Sequence, residues 1–432
     1  MKFFRNNRKL IASLIIIVFV VFALAEVYST HNISKLAYIV ALGIDVGSNN
    51  NLLLSVQISK PSSQSNPESS FSSQSSGNII NSVECSSIES GLNLFNSYIS
   101  RRINLSHCKV VVFSEEIAYQ GISDYIYTLL NNVEVSSQAN LIVSKCSAKD
   151  FLESSNPMLE SLSSRYYEIT PASSEYTGYT QNVSLLNFFS DGIDTFIQPV
   201  AILGSINSGN LNSHVSLDKD SSDAISIDEN ASLSINRDSS YTAGETPIDT
   251  EETIENVGLA VFKSDKIVGE LDGLETICHL IVSNKLKSCH LYIPNPIGDS
   301  EYLDVTIRLN HKTKSNVYFV NGSPYITCNI DLKFKILSAT EDSACGNSNY
   351  FKEENVPLIE EALNKYLNKT IYEYLYKVAY EYKTDIDGFG KYALKYFTTT
   401  QDWESYKWLD NYQNSTFNVN VKSTLKSGYT FL

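Results

Sequence analysis

Basic residues are the scarce class in this chain: 33 Lys and Arg stand against 48 Asp and Glu, a formal net charge of -15. Such a balance repels polyanions, and no basic patch interleaved with aromatics offsets it, so neither nucleic acid nor an anionic lipid surface is expected as a partner. Cysteine is sparse and odd in number. The seven residues Cys85, Cys108, Cys146, Cys278, Cys289, Cys328 and Cys345 are scattered through 432 positions, which is not the spacing of a disulfide framework. Cys108 in Cys108-Lys109-Val110-Val111-Val112-Phe113 and Cys328 in Thr327-Cys328-Asn329-Ile330 read as small buried hydrophobes, and no pairing is assigned. Recognisable catalytic motifs are lacking too. None of His31, His107, His214, His279, His290 and His311 sits in a zinc-protease, nucleophile-elbow or phosphate-loop context. Catalytic residues, metal ligands and cofactors are therefore assigned to none of the positions, and no enzyme is expected.

What the chain does have begins with one long apolar run. Lys2, Arg5, Arg8 and Lys9 precede Leu10 to Ala25, in which only Ser13 is polar. That layout belongs to a secretory signal or a membrane anchor. Ala23-Leu24-Ala25 supplies small residues for cleavage, but the apolar run continues up to them and leaves no polar stretch before the bond. We read an uncleaved anchor over residues 1–28, with the basic cluster cytoplasmic and everything from about residue 30 outside. The 43% hydrophobic content beyond it suffices for two or three domains with their own cores.

The fold class expected is α+β. A mixed α/β domain over 29–206 is interrupted by a Ser-rich loop at 61–81, an acidic linker or insertion occupies 207–255, and a second α+β domain fills 256–432. In the first domain, Leu36 to Ile44 and Leu52 to Ile58 flank Gly47-Ser48-Asn49-Asn50-Asn51 as a hairpin. Ser86-Ser87-Ile88-Glu89 has capping-box spacing before a helix ending near Arg101 and Arg102. A strand from Cys108 to Phe113 follows, then a helix from Ser114-Glu115-Glu116 toward Leu130, a strand from Leu141 to Ser144 and a helix from about Ser147. The second domain is expected to pack an antiparallel sheet on a long helix. Its signals are a hairpin around Lys263-Ser264-Asp265-Lys266, a helix from Leu274 to Val282, alternating strands at Leu303–Leu309 and Ile326–Ile336 joined through Asn321-Gly322, and the stripe Ile359, Leu363, Leu367, Ile371, Leu375, Val378. A last strand runs from Thr416 to Thr424.

Four clusters invite a chemical reading. Cys278-His279 and Cys289-His290 form a repeated dyad suggestive of zinc, but adjacent side chains diverge on either a helix or a strand, and core cysteines beside surface histidines is the better account. Asp385-Ile386-Asp387-Gly388 begins like a calcium loop with its glycine two positions early and no distal glutamate; a tight turn with Gly388 and Gly390 supplying unusual backbone angles fits better. Glu115-Glu116 reads as a pair interacting with a helix start rather than as glycosidase acids. Asn32-Ile33-Ser34 is a glycosylation sequon by pattern only.

Taken in order, several segments resemble the Ger(x)C family, the C subunits of spore nutrient germinant receptors. Leu36-Ala37-Tyr38-Ile39-Val40-Ala41-Leu42-Gly43-Ile44-Asp45 is similar to that family's opening strand, and Ser106 to Ala118 with Gly121-Ile122 to its strand-helix segment. Gly258-Leu259-Ala260-Val261-Phe262-Lys263 with Val268-Gly269-Glu270-Leu271 resembles the hairpin opening its C-terminal half, and Asp385-Ile386-Asp387-Gly388-Phe389-Gly390 with Trp403 resembles its closing segment. The resemblance implies a non-enzymatic, lipoprotein-like membrane subunit that acts in germination beside receptor A and B membrane subunits, on the outer side of the inner spore membrane. It does not imply which germinant is sensed or whether this subunit touches it. Family members carry an acylated lipobox cysteine; here Leu24-Ala25-Glu26-Val27 aligns with the lipobox, and Val27 has no thiol, so lipidation is assigned to no residue and the apolar helix becomes the expected anchor. The alternative is a surface-anchored binding module for a small solute or cell-wall polymer.

Overall fold

A computed structural model describes residues 35–48, 51–59, 78–155, 163–207, 239–248, 253–297, 302–339 and 352–426, with a few isolated positions besides. The expected anchor lies almost wholly outside these, as do Val27, the sequon at Asn32, most of the Ser-rich loop and residues 208–238 of the acidic segment. Among the described residues no helix is long and apolar enough to cross a membrane.

The hairpin expected at the start is present. β1 (Leu36–Val46) pairs antiparallel with β2 (Leu52–Ser59), and Gly47 closes the turn by donating its N–H to the Asn51 carbonyl at 2.7 Å. β3 (Asn78–Cys85) then pairs with β2, so the loop expected to run to residue 81 yields to a strand at 78. Helix α1 (Ile88–Tyr98) is capped by Ser87, whose Oγ accepts from Ser90 N, one residue later than the capping-box spacing indicates. Glu89 instead accepts from Asn132 Nδ2. The helix stops three residues before Arg101 because Arg102–Asn104 forms β4, parallel to the start of β1.

β5 (Val110–Ser114) lies parallel to β1, and β6 (Asn140–Ser144) and β7 (Val200–Ile206) continue the parallel run. Between β5 and β6 the single helix expected toward Leu130 is two: α2 (Glu115–Gln120) and α3 (Ser123–Asn131), broken at Gly121, whose φ of 121° no side-chain-bearing residue adopts easily. α4 (Ala148–Glu153) and α5 (Ser163–Ile169) follow β6, and α6 (Leu185–Ile193) precedes β7. Strands covered on both faces read as nearly unbroken apolar runs, which is why Val110-Val111-Val112-Phe113 carries no alternation.

The acidic segment does not divide the sheets as expected. β8 (Ile254–Lys263) pairs antiparallel with β7, and β9 (Lys266–Leu271) with β8, so the hairpin placed in the second half extends the first half's sheet to the order β3-β2-β1-β5-β6-β7-β8-β9. α7 (Gly273–Val282) starts on a full capping box between Asp272 and Glu275, and apart from Glu275 its residues are buried on all sides.

The second sheet is mixed rather than antiparallel. β13 (Ser323–Ala339) is its spine. β12 (Lys314–Val320) pairs with its first part through the Asn321-Gly322 turn, and β11 (Tyr302–Leu309) with its later part. Both lie on one edge of β13, because β14 (Thr416–Leu425) holds the other edge, in parallel, from Tyr325 to Phe334. β10 (Cys289–Pro294) completes the sheet beside β11. The long helix α8 (Val356–Tyr376) buries Ile359, Leu363, Leu367, Ile371 and Leu375 as the stripe predicts, and continues through a π-helical turn at Lys377–Tyr382. It also covers β14's outer edge: Val421 N donates to Asn368 Oδ1 and Leu425 N to Glu360 Oε1, satisfying edge groups that otherwise invite another strand.

Candidate functional site

The turn after the π-helical segment is where the two sheets are tied together. Asp385 is buried and accepts four N–H donors: Gly388 N (2.8 Å) and Phe389 N (3.1 Å) on Oδ1, Gly390 N (2.9 Å) and Trp408 Nε1 (2.9 Å) on Oδ2. Burial pushes its carboxyl up to about 7, against the pull of those donors. Gly388 takes the left-handed φ of 73° expected of it. Gly390 does not; its requirement is space, since a Cβ there would stand 2.6 Å from Trp408 Nε1 and 2.7 Å from Phe196 Cβ.

Two residues on, Asp387 meets the middle of α7. His279 Nδ1 lies 2.9 Å from Asp387 Oδ1, the Tyr374 hydroxyl donates to both Asp387 oxygens at 3.1 and 3.0 Å, and His279 Nε2 lies 3.1 Å from the Gln181 amide. The His279 and Asp387 side chains are 0% exposed. The surface histidine expected at 279 is therefore a core residue, and burial lowers its pKa below the usual imidazole range. Its partner dyad does not converge on it: His290 points outward on β10 beside Thr306, while Cys278 and Cys289 are buried free thiols whose pKa values burial raises. Among the described residues no group of three His, Cys, Asp or Glu is placed to hold a metal ion.

Around this pair the backbone stitches one half to the other. Gln198 N donates to the Asp385 carbonyl at 2.7 Å, Thr384 Oγ1 to Phe262 O, Tyr382 OH to Glu270 O and Trp403 Nε1 to Thr195 Oγ1. Lys377 Nζ reaches both oxygens of Glu275 at 2.6 and 2.7 Å. Asp385 and the His279–Asp387 pair at its centre are sealed from solvent, the Lys377–Glu275 pair lies at its partly exposed margin, and together these bonds act as a clasp between the halves. Sequence reading placed a turn here but missed the His279–Asp387 pairing. The available signal was α7 itself, apolar nearly all round, which marks a helix enclosed by protein.

Glu115 and Glu116 sit elsewhere, at the mouth of a cavity of about 480 Å³ beyond the ends of β1, β5 and β6, together with Asp45, Ser114, Lys145 and Lys149. Asp45 is buried and spends both oxygens on α4: Ala148 N donates to Oδ1 at 2.6 Å and Lys149 N to Oδ2 at 3.0 Å.

These features define a two-part α/β protein whose halves share a buried polar clasp. Residues 29–203 match the family model described as the spore germination protein N-terminal domain, and residues 257–428 the one described as spore germination B3/GerAC like, C-terminal. The chain belongs to this GerAC-like family of spore germination proteins, as its opening strand, hairpin and closing segment lead one to expect. It is similar to the crystal structure of the GerBC protein at 14% identity, with a TM-score of 0.47 over 89% of this chain and 97% of that one. No curated protein matches it.

Proposed function

We propose that the chain is a non-catalytic, membrane-anchored subunit of a spore germinant receptor, required for nutrient-triggered germination. The observation that carries this reading is the pair of family matches in tandem, one on each half. The clasp supports it physically, because a sealed network joining two sheets makes a rigid body suited to presenting protein surface. The partners proposed are the receptor's A and B membrane subunits, with both halves of this chain on the outer side of the inner spore membrane.

Co-purification is the direct test. From detergent-solubilised spore membranes the tagged full chain is expected to bring down a transporter-like membrane protein and a second membrane subunit; recovery of the chain alone, from spores that germinate normally after its deletion, counts against the reading. Attachment is tested separately by intact mass. The full-length mass without a diacylglyceryl adduct is expected, because Val27 offers no sulfur for a thioether; an adduct, or a chain starting after Ala25, overturns the anchor.

A further inference from the structure

The strands of the second sheet assemble a charge pattern that residue order does not show. Arg308 of β11 stands directly opposite Lys333 of β13, and Thr306 opposite Lys335. On the other edge of β13, Thr424 lies beside Lys333. Lys426 continues that register by donating its N–H to Phe334 O at 2.9 Å, which sets it beside Lys335. Side chains alternate across a strand, so all four cations project from the face opposite the buried Ile307, Leu332 and Phe334. Arg308 and Lys426 are exposed there, Lys333 and Lys335 partly so.

Directly opposed residues have Cβ atoms about 4.5–5.5 Å apart, and like charges set so are destabilising. The acids of this face are engaged elsewhere. Asp331 pairs with His311, accepts from Asn310 Nδ2 and stands beside Lys422, and Asp304 is drawn to His290. Arg308 gives its Nε–H to the neutral Ser288 Oγ at 3.3 Å, and among the described residues neither Arg308, Lys333 nor Lys426 enters an ion pair.

Counter-charge is concentrated in one stretch of the same chain. Between Asn207 and Ser239, Asp218, Asp220, Asp223, Asp228 and Glu229 gather around a single Lys219. The chain is fixed on either side of that stretch: Asn207 N donates to Thr253 O, and Tyr241 O accepts from Gly273 N at the head of α7. Reach is no obstacle. Half of residues 208–238, laid out, spans roughly 50 Å, more than twice the radius of gyration of about 22 Å for a compact chain of this length. Laid out in this way, Asp218 and Asp220 stand about 6.6 Å apart, the same step that separates Lys333 from Lys335 along β13.

We propose that the acidic segment centred on residues 218–229 docks on this basic face of its own chain, its carboxylates accepting from Arg308, Lys333 and Lys426. The contact relieves the like-charge repulsion between β11 and β13 through charge-assisted hydrogen bonds. Carried by exposed groups, it is sensitive to salt. The inference concerns one chain and holds or fails independently of receptor assembly.

Carbodiimide coupling, which joins a carboxylate to an amine only where the two touch, tests it on the full chain in detergent micelles. Peptide mass spectrometry is expected to find isopeptide links from Lys333 or Lys426 to residues 218–229, at least fivefold fewer in 1 M sodium chloride, where the Debye length is about 3 Å. A mixture of natural-abundance and nitrogen-15-labelled chains is expected to give links within one chain; mixed-label links overturn the proposal and assign the face to a second copy. A fluorescent hexaglutamate peptide gives the complementary reading. The neutralised variant Asp218→Asn, Asp220→Asn, Asp223→Asn, Asp228→Asn, Glu229→Gln should bind it at least fivefold more tightly than wild type. Adding Arg308→Gln and Lys333→Gln should abolish that gain, whereas adding Lys263→Gln, at an exposed lysine of the β8–β9 turn, should preserve it. Absent links, links unaffected by salt, equal hexaglutamate affinity in wild type and the neutralised variant, or a gain that survives the loss of Arg308 and Lys333 each overturns the proposal.

Discussion

Asp385→Ala is expected to lower the unfolding free energy of the chain by roughly 3–5 kcal/mol, about the cost of removing one partner from a buried charged network. The carboxyl serves four N–H donors at once, from Gly388, Phe389, Gly390 and Trp408, and alanine leaves all four facing one another across an empty space. Asp385→Asn discriminates shape from hydrogen bonding. Each carboxyl oxygen takes two donors, so whichever side the amide nitrogen occupies, it opposes two N–H groups; the asparagine variant is expected to lose nearly as much as alanine. Urea unfolding followed by tryptophan emission reads this locally, because the chain's two tryptophans, Trp403 and Trp408, stack 5.9 Å apart beside the turn. A loss under about 1 kcal/mol for alanine would mean that water replaces the carboxyl without cost, and the clasp would lose its centre.

The second large effect is expected at His279. His279→Ala strips Asp387 of one of its two side-chain partners inside a sealed site, at a cost of about 3 kcal/mol or more. A pH dependence goes with it. Burial lowers the folded pKa of His279, so between that lowered value and the unfolded value near 6.5 the unfolded chain binds a proton that the folded chain does not. The contribution is complete above about pH 6.5 and declines as pH falls below it. Asp387 and Tyr374 face the ring from the closing turn and α8, and Lys285 adds a positive charge that opposes protonation. Asp385 acts in the other direction, since a carboxyl titrating near 7 when folded holds its proton longer than the unfolded chain does and favours folding on acidification. The informative quantity is therefore wild type minus His279→Gln. That difference in unfolding free energy should shrink from pH 7.5 to pH 5.5; a constant difference would show that His279 keeps the same charge in both states.

Much of the local architecture was legible, and the elements that were share a cause. The hairpin of β1 and β2, the Asn321-Gly322 turn with φ of 52° and 84°, the alternating β11 and β13 and the apolar stripe of α8 each follow from neighbours in sequence: a turn that needs particular backbone angles, or a period of 2 or 3.6 that needs one buried face. Errors at this level were small and equally local. Ser87 rather than Ser86 caps α1, and Gly121 splits a helix whose apolar period runs on through it.

The misreadings that mattered were of another kind. Nothing in Gly258 to Leu271 says which strand edge the hairpin will join, because backbone hydrogen bonds carry no side-chain signature; the pairing with β7 was decided by where the chain returned after the acidic segment. His279 was taken for a surface residue because one helix's sequence does not contain its surroundings. With β8 and β9 on one side and α8 on the other, the ring is enclosed, and a carboxylate 108 positions away becomes its partner.

By itself, then, the sequence determined the family, the elements and the positions of the turns, since each is written in residue order and short-range sterics. Only the tertiary structure decided that the two halves share a sheet and a sealed clasp, and that Asp45 of β1 caps the start of α4. Those facts depend on burial and on contacts between distant segments, and both exist only once the chain has folded.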